Sequence, residues 1–278
     1  MELDEITISR AILSAQMNTL IDHMELDVAV VGAGPAGITC AALIAEEGVK
    51  VGVIEKKLSV GGGMWGGGMM FPRIVVQEEA RRLLDRFHIN STAYKEGYYV
   101  AKSVEAVSKL TAAACDAGAE FFNLTSVEDV MIKADGRICG LVINWTAVEM
   151  GKLHVDPLVM GCRYAVDTTG HDSVVARLVE KKGGNLQVKG ESFMWADRAE
   201  SRIRQHTREV FPGLVVAGMA AKMPLLERAV WARCSAGCSS PASTRQILSS
   251  KISSGDRFFW IRPQESNNFP GTSPFFIT

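Results

Sequence analysis

The chain of 278 residues has almost no net charge and no long uninterrupted apolar run. Its 30 basic and 31 acidic residues give a net charge of −1 without a basic stripe, so nucleic acid and anionic membranes are poor candidates for partners. No apolar run is long enough to span a bilayer, and residues 1–24 carry charges throughout, so the sequence predicts neither a membrane anchor nor a signal peptide. We expect a cytoplasmic protein.

Cysteine is sparse and unpatterned. The six cysteines are scattered, mostly among apolar neighbours, which indicates buried thiols in a reducing compartment rather than a disulfide framework. Cys234 and Cys238 form a CxxxC pair, but the chain lacks the second pair that a zinc site needs. With 47% apolar residues, the chain is typical of an ordinary globular protein of one large or two small domains.

A dinucleotide-binding fingerprint occupies residues 27–55. An apolar strand leads into a glycine turn and an apolar helix, and the next strand ends in Glu55. Gly32 permits the tight turn, Gly34 lets the backbone approach a pyrophosphate, and Gly37 lets helix and strand pack closely. We expect the helix N-terminus to face the phosphates and the Glu55 carboxylate to accept hydrogen bonds from the adenosine ribose.

The rest of the chain shows alternating helix and strand patterns. Helices are predicted at 6–23, 76–87, 104–117 and 173–180, and strands at 120–124, 127–133, 138–145, 164–167 and 214–217. The first helix is amphipathic, with Thr7 or Ser9 near its start, and is expected to lie against the core or a neighbouring subunit. Asp135-Gly136 predicts a hairpin turn between two of the strands.

The interval between the fingerprint and the Asp167-Thr-Thr-Gly strand is too long for a crossover helix and contains its own strands. This layout is typical of the two-dinucleotide-binding-domain flavoproteins. The predicted fold is therefore α/β, a Rossmann-like FAD/NAD(P)-binding fold with a central parallel sheet and an inserted β-rich layer.

Met219 argues against FAD as the bound dinucleotide. In FAD enzymes of this architecture, a later strand ending in Ala-Gly is followed by an acid that hydrogen-bonds the cofactor. Here Ala217-Gly218 is followed by Met219, whose thioether is only a weak acceptor. We expect a different adenine dinucleotide in the same frame.

A loop with six glycines follows the second strand, at residues 58–72. It is either a flexible surface loop or a lid that closes over the dinucleotide, and its position just after Glu55 favours the lid. Met64, Met69, Met70 and Phe71 within it are also consistent with simple packing.

Asp156 and His171 form a candidate metal pair. They flank the predicted strand 164–167, so the two connections of that strand could bring them to one edge of the sheet, or they could meet across a subunit boundary. A carboxylate and an imidazole with open positions suit a divalent first-row metal such as Fe(II). The alternative is that His171-Asp172 simply begins the following helix.

These motifs together resemble the thiazole synthases of thiamine biosynthesis, in their archaeal form. The resemblance covers roughly residues 1–221. It rests on the Asp4-Glu-Ile-Thr-Ile-Ser-Arg-Ala start, the glycine turn, Glu55-Lys56, Gly61-Gly-Gly-Met-Trp-Gly-Gly-Gly-Met, Asn144-Trp-Thr, His154-Val-Asp-Pro, Thr169-Gly-His-Asp and Gly218-Met-Ala-Ala. It implies conversion of NAD and glycine, with a sulfur source, into an ADP-linked thiazole carboxylate by a transferase. It also implies bound Fe(II) and a homo-oligomer whose sites are shared between subunits.

Residue 154 separates two mechanisms in that family. Fungal and plant members have a cysteine there that gives up its own sulfur, whereas His154 has none to give, so the resemblance implies free sulfide as the donor. It also implies that His154 and Val155 line the reacting centre and that Asp156 and His171 bind iron. The residues implied to contact NAD or its ADP-ribose remnant are Ala36, Glu55, Lys56, Gly63, Val127 and Met219.

The resemblance breaks after Ala221, where a Ser/Cys-rich stretch replaces a segment with the arginine that should bind the glycine carboxylate. Arg228 lies near that position without matching the motif, and a reading-frame shift would explain the break as well as divergence would. We therefore divide the chain into an N-terminal arm (1–24), a dinucleotide-binding catalytic domain (25–221) and an atypical tail (222–278). The alternatives are an FAD-dependent oxidoreductase and an inactive NAD-binding homologue.

Overall fold

The computed structural model describes residues 3–188 and 206–222. The helices are α1 (Glu5–Asp22), α2 (Pro35–Ala45), α3 (Glu78–Arg86), α4 (Ser103–Asp116), α5 (Thr146–Gly151) and α6 (Val174–Lys181). The strands are β1 (Glu25–Val31), β2 (Val51–Glu55), β3 (Arg73–Val76), β4 (Ser91–Lys95), β5 (Tyr98–Lys102), β6 (Glu120–Asn123), β7 (Thr125–Ile132), β8 (Ile138–Trp145), β9 (Leu158–Asp167), β10 (Arg208–Phe211) and β11 (Leu214–Val216).

A parallel sheet in the order β11-β9-β1-β2-β6 forms the centre of the protein, with β10 antiparallel at its edge. Its strands are apolar and mostly buried because both faces are covered. Alternate residues of β1 serve two cores: Val28 and Val30 pack with α2 and α4, and Ala29 and Val31 pack with the β7–β8 layer and α6. The predicted fold class, a central parallel sheet with an inserted β-rich layer, is confirmed.

The inserted layer is the β7–β8 hairpin, extended by the start of β9. β8 pairs antiparallel with β7 and with residues 158–161 of β9, while residues 161–167 of β9 pair with β1. The turn joining β7 to β8 contains Gly136 at φ 79°, and the Gly136 N–H donates to the Lys133 carbonyl. The hairpin turn predicted at Asp135-Gly136 is therefore confirmed.

A second, three-stranded sheet (β3-β5-β4) was not predicted. The predicted helix 76–87 starts too early, because residues 73–76 form β3, in which Ile74 and Val76 point inwards with period two. β4 is largely exposed and β5 has a single buried residue, Ala101, so neither shows the apolar alternation that marks a half-buried strand.

Helix α1 projects an apolar face into solvent. Asp4 caps its start, because its carboxylate accepts the Ile6 N–H at 3.2 Å and the hydroxyl of Thr7. Only Leu20 is buried, whereas Leu13 is 63% exposed. Contact of α1 with the core is thus confined to its C-terminal end. Within the described residues, no helix is both long and apolar enough to cross a membrane.

The described cysteines are free thiols. Cys40 and Cys162 are buried, and burial raises the pKa of each thiol to about 12, so both stay protonated. Cys115, by contrast, is exposed. The expectation of buried thiols therefore holds for two of the four described cysteines, and Cys234 and Cys238 lie outside the described residues.

The close approach of Gly37 to the glycine turn yields a stability prediction. A Cβ on Gly37 would lie 2.7 Å from the Thr168 hydroxyl oxygen and nearer still to the Gly32 carbonyl oxygen, whereas a Cβ on Gly34 would meet nothing within 4 Å. Gly37→Ala should lower the free energy of unfolding by ~2 kcal/mol or more through overpacking. Gly34→Ala is the matched control and should change it little, as measured by urea denaturation. Equal stabilities of the two variants would contradict the packing model.

Candidate functional site

The candidate site lies at the carboxyl edge of the parallel sheet, where β1, β2, β6, β9 and β11 all end. This is the edge at which open α/β sheets bind their ligands. Segments that follow these strands carry most of the residues expected to bind the dinucleotide. They are Gly32, Gly34, Ala36 and Gly37 after β1, Lys56 and Gly63 after β2, and Met219 after β11, with Glu55 as the last residue of β2.

The glycine turn is held against the end of β9. The Gly32 N–H donates to the Ile54 carbonyl at 2.8 Å, and the Thr168 hydroxyl lies 2.7 Å from the Gly32 carbonyl oxygen and 2.8 Å from that of Val31. Gly34 is the N-cap of α2, and no side chain caps the helix there. With open space in front of Gly34, the first N–H groups of α2 can bind an anion such as a pyrophosphate.

Glu55 is buried beside this turn, with 7% of its surface exposed. One carboxylate oxygen accepts the Ala33 N–H at 2.8 Å and the other accepts the Lys57 N–H at 2.8 Å. Each oxygen keeps a second lone pair, so the carboxylate can also accept a ligand hydroxyl. Glu55 thus fixes the conformation of the turn in addition to the ribose-binding role expected of it.

The glycine-rich loop packs over the same turn. The Gly61 N–H donates to the Ala33 carbonyl at 2.6 Å, and a Cβ on Gly62 would lie 3.1 Å from the Gly34 Cα. The Trp65 indole N–H donates to the Val60 carbonyl at 2.6 Å, and Met64 is buried. The loop is therefore anchored beside the glycine turn. The tip of the loop does not pack: Met69, Met70 and Phe71 are exposed.

The segment that follows strand β11 also reaches the start of α2. The Ala217 N–H donates to the Asp167 carbonyl at 3.0 Å, and a Cβ on Gly218 would lie 2.5 Å from the Cβ of Ala36. Met219, the next residue, is half-buried beside the N-terminus of the helix. In sequence, this methionine follows Ala217-Gly218, the position at which an acid is expected in an FAD enzyme of this architecture.

The Asn144-Trp145-Thr146 motif ties two parts of the site together. The Asn144 amide donates to the Val155 carbonyl at 3.3 Å, and the Thr146 hydroxyl donates to the Lys56 carbonyl at 2.7 Å. Val127, in β7 next to these residues, is half-buried. The motif therefore holds the segment with His154 and Asp156 beside the loop after β2. Sequence patterns alone missed this role, because it depends on contacts between residues as far apart as 56 and 146.

Asp156 and His171 lie at opposite ends of β9. Asp156 precedes the ten-residue strand by two residues and His171 follows it by four. Both side chains are exposed, as are those of His154 and Val155, and no hydrogen bond or ion pair joins Asp156 to His171 within the chain. Among the described residues, no group of three or more His, Cys, Asp or Glu could hold a metal ion. The single chain therefore does not bring Asp156 and His171 to one edge of the sheet, which was the first of the two arrangements predicted from the sequence.

A buried carboxylate, Asp167, organises the turn that carries His171. Its two oxygens accept hydrogen bonds from Thr169 and from the Ala176 N–H in the first turn of α6. Burial raises the pKa of the Asp167 carboxyl above its usual value, although these hydrogen bonds act in the opposite direction. The segment expected to follow residue 222, including Arg228, lies outside the described residues.

Comparison with known proteins agrees with this geometry. A protein-family model described as the Thi4 family matches residues 9–225. The thiamine thiazole synthase of Methanoculleus marisnigri is 73% identical over 221 residues, which are 80% of this chain and 87% of that protein. That of Methanothermobacter thermautotrophicus is 53% identical over 227 residues, or 80% of this chain and 88% of that protein.

Solved structures give the same result. The crystal structure of Thermovibrio ammonificans THI4 has a TM-score of 0.81 at 41% identity and covers 91% of this chain and 100% of its own. A geranylgeranyl bacteriochlorophyll reductase-like protein from Thermoplasma acidophilum, 16% identical with a TM-score of 0.51, covers 84% of this chain and 80% of its own and shares the fold alone. On the family model and these relatives, the chain belongs to the Thi4 family.

Proposed function

We propose that the protein is a sulfide-dependent thiazole synthase of thiamine biosynthesis, which converts NAD, glycine and sulfide into an ADP-linked thiazole carboxylate. The observation that carries the proposal is a set of groups at the carboxyl edge of the sheet: the glycine turn, the uncapped start of α2 and Glu55, together called the dinucleotide cradle. In sequence, Met219 stands where FAD enzymes have an acid. The relatives named thiamine thiazole synthase are up to 73% identical to this chain, which supports the same activity here.

The residues of the cradle fit NAD. The uncapped N-terminus of α2 and the open space at Gly34 suit the pyrophosphate, and the Glu55 carboxylate suits the adenosine ribose. Gly63, in the loop packed over the turn, and Lys56 are exposed on the same edge. In this proposal these groups bind and orient the dinucleotide, and the glycine-rich loop limits the access of water to it.

Small molecules released on denaturation test the proposed function. We expect mass spectrometry of the purified, heat-denatured protein to find NAD-derived adenine compounds, including an ADP-linked thiazole, and no FAD. The Gly34→Ala variant should carry less of them, because its methyl group would occupy the space of the pyrophosphate. A stoichiometric release of FAD would overturn the proposal in favour of a flavin oxidoreductase.

Asp156 and His171 would hold the Fe(II) that the family implies. A carboxylate and an imidazole are donors that Fe(II) accepts, and the remaining positions are left for substrate or water. When bound, the metal would supply Lewis acidity and a template for the substrates. His154 has no sulfur to donate, which supports free sulfide as the sulfur source. In this proposal His154 and Val155 line the reacting centre, held in place by Asn144.

We further propose that the two metal ligands come from different subunits of a homo-oligomer. Asp156 and His171 lie at opposite ends of β9 and are both exposed in the single chain, so a second copy is needed to complete the site. Helix α1 offers a surface for such an assembly, because Ile6, Leu13 and Met17 lie on the same face as the buried Leu20 and are themselves exposed.

Mixing two inactive variants distinguishes a shared site from one within a chain. Asp156→Ala and His171→Ala should each lose Fe(II) binding and product formation while remaining folded. Co-expressed in one oligomer, they should regain part of the activity, because one subunit would supply an intact Asp156 and its neighbour an intact His171. With random mixing of equal amounts, about one site in four would be complete. A mixture as inactive as the separate variants would contradict the shared site.

The proposed role of α1 as an oligomer arm has its own test. Leu13→Glu places a charge in the middle of the exposed apolar face and should shift the protein to a smaller assembly in sedimentation velocity, because burying that charge at an interface is costly. Ala15→Glu, on the opposite face of the same helix, is the matched control and should leave the assembly unchanged. If both variants sediment like the unmodified protein, α1 has no part in the interface.

A further inference from the structure

The turn that carries His171 has few means of its own to fix its shape. It is a single 3-10 turn, Gly170–Asp172, between the end of β9 and α6. Gly170 has a φ of 74° and Ser173 a φ of 43°, and the Ser173 side chain makes no capping hydrogen bond to α6. Within the turn, the Ser173 N–H donates to the Gly170 carbonyl at 3.3 Å. Further contacts that hold the backbone on both sides of His171 come from outside the turn.

Those contacts come from Asp167. One of its oxygens accepts the Thr169 N–H at 3.0 Å and the Thr169 hydroxyl at 2.7 Å, and the other accepts the Ala176 N–H at 3.0 Å. One carboxylate thus binds the chain on both sides of His171. Asp167 is fully buried, so it does so from within the sheet and beyond the reach of substrate.

Thr169 closes the network. Its hydroxyl donates to Asp167 and accepts the Val174 N–H at 2.8 Å. Two N–H groups in the first turn of α6, those of Val174 and Ala176, are therefore satisfied by groups at the end of β9, where a helix would otherwise use its own N-cap. The helix start and the strand end become one rigid frame, and the His171 turn spans it.

The geometry points to Asp167 and Thr169 as positioning residues for His171: four hydrogen bonds from this pair hold the turn so that the imidazole is presented at a fixed place. The inference rests on the proposed function only in treating His171 as a metal ligand. It assigns to the buried pair the task that outer-shell partners perform in metal sites, which is to fix the ligand before the metal binds.

The other functional turn at this edge is connected to the same frame. The Ser173 hydroxyl lies 3.4 Å from the Ala220 carbonyl oxygen, next to Met219, and the Asp167 carbonyl accepts the Ala217 N–H. A loosened His171 turn should nonetheless leave dinucleotide binding largely intact, because the glycine turn is anchored separately through Thr168 and Glu55.

Thr169→Val tests the inference, with Thr169→Ser as the matched control that keeps the hydroxyl. In the full-length protein we expect Thr169→Val to weaken the binding of Co(II), followed by its visible absorption, by about tenfold or more. NAD affinity should change less than twofold, and Thr169→Ser should restore Co(II) binding. Should Thr169→Val fail to fold, Thr169→Ala removes the same two hydrogen bonds without a second methyl group.

Hydrogen exchange supplies a readout that needs no metal. The amides of Val174 and Ala176 should exchange faster in Thr169→Val than in the unmodified protein or in Thr169→Ser. Co(II) affinity unchanged in Thr169→Val, or equally reduced in Thr169→Ser, would overturn the positioning role. If the unmodified protein binds no Co(II), the metal assignment of the proposed function falls, and unchanged exchange rates would then overturn the inference as well.

Discussion

The contact between the glycine turn and the end of β9 is the constraint on which the rest of the site depends. Thr168 hydrogen-bonds the carbonyl groups of Val31 and Gly32, and Gly37 packs so closely on the same point that no side chain fits. Because β1 and β9 are neighbours in the sheet, this contact fixes the start of α2 relative to the start of α6. The start of α2 and the start of α6 therefore meet at this junction, while each turn also has an anchor of its own: Glu55 holds the glycine turn and Asp167 holds the His171 turn.

Two buried acids extend this junction in the same way. Glu55 at the end of β2 accepts the N–H groups of Ala33, after β1, and of Lys57, and Asp167 at the end of β9 accepts those of Thr169 and Ala176. Burying a carboxylate is costly unless it is well hydrogen-bonded, so the acids are satisfied by backbone groups whose positions they fix in turn. Neither carboxylate has a cation partner among the ion pairs of the described residues.

Sequence patterns predicted the parts of the structure that depend on local periodicity. The β1-α2-β2 unit, α4 and the β7–β8 hairpin follow from apolar spacing and from glycine turns, and they were placed to within a few residues. The β3-β5-β4 sheet was missed, because its strands are short and mostly exposed. Asp4, Thr7 and Ser9 are all good N-cap residues, and only the position of the first helical turn shows that Asp4 caps α1.

The arrangement of the candidate site residues could not be predicted from the sequence. Asp156 and His171 were chosen for their chemistry, and nothing in the spacing of 15 residues told whether the strand between them would separate them. Likewise Asp167, Thr169 and Asn144 act through hydrogen bonds to distant backbone groups, which have no signature in the sequence. The family resemblance implies roles for particular residues, and the fold shows how the backbone around them is held.

The two parts of the candidate site differ in how far a single chain completes them. The residues proposed to bind the dinucleotide lie at strand ends, and the glycine turn among them is held by hydrogen bonds within one chain, so the cradle is formed without a partner. The side chains of His154, Asp156 and His171 are exposed in that same chain, and charged or polar ligands gain strength only where water is excluded. In the proposed homo-oligomer, assembly would bring the His171 turn of one subunit against the Asp156 segment of another and shield both from solvent.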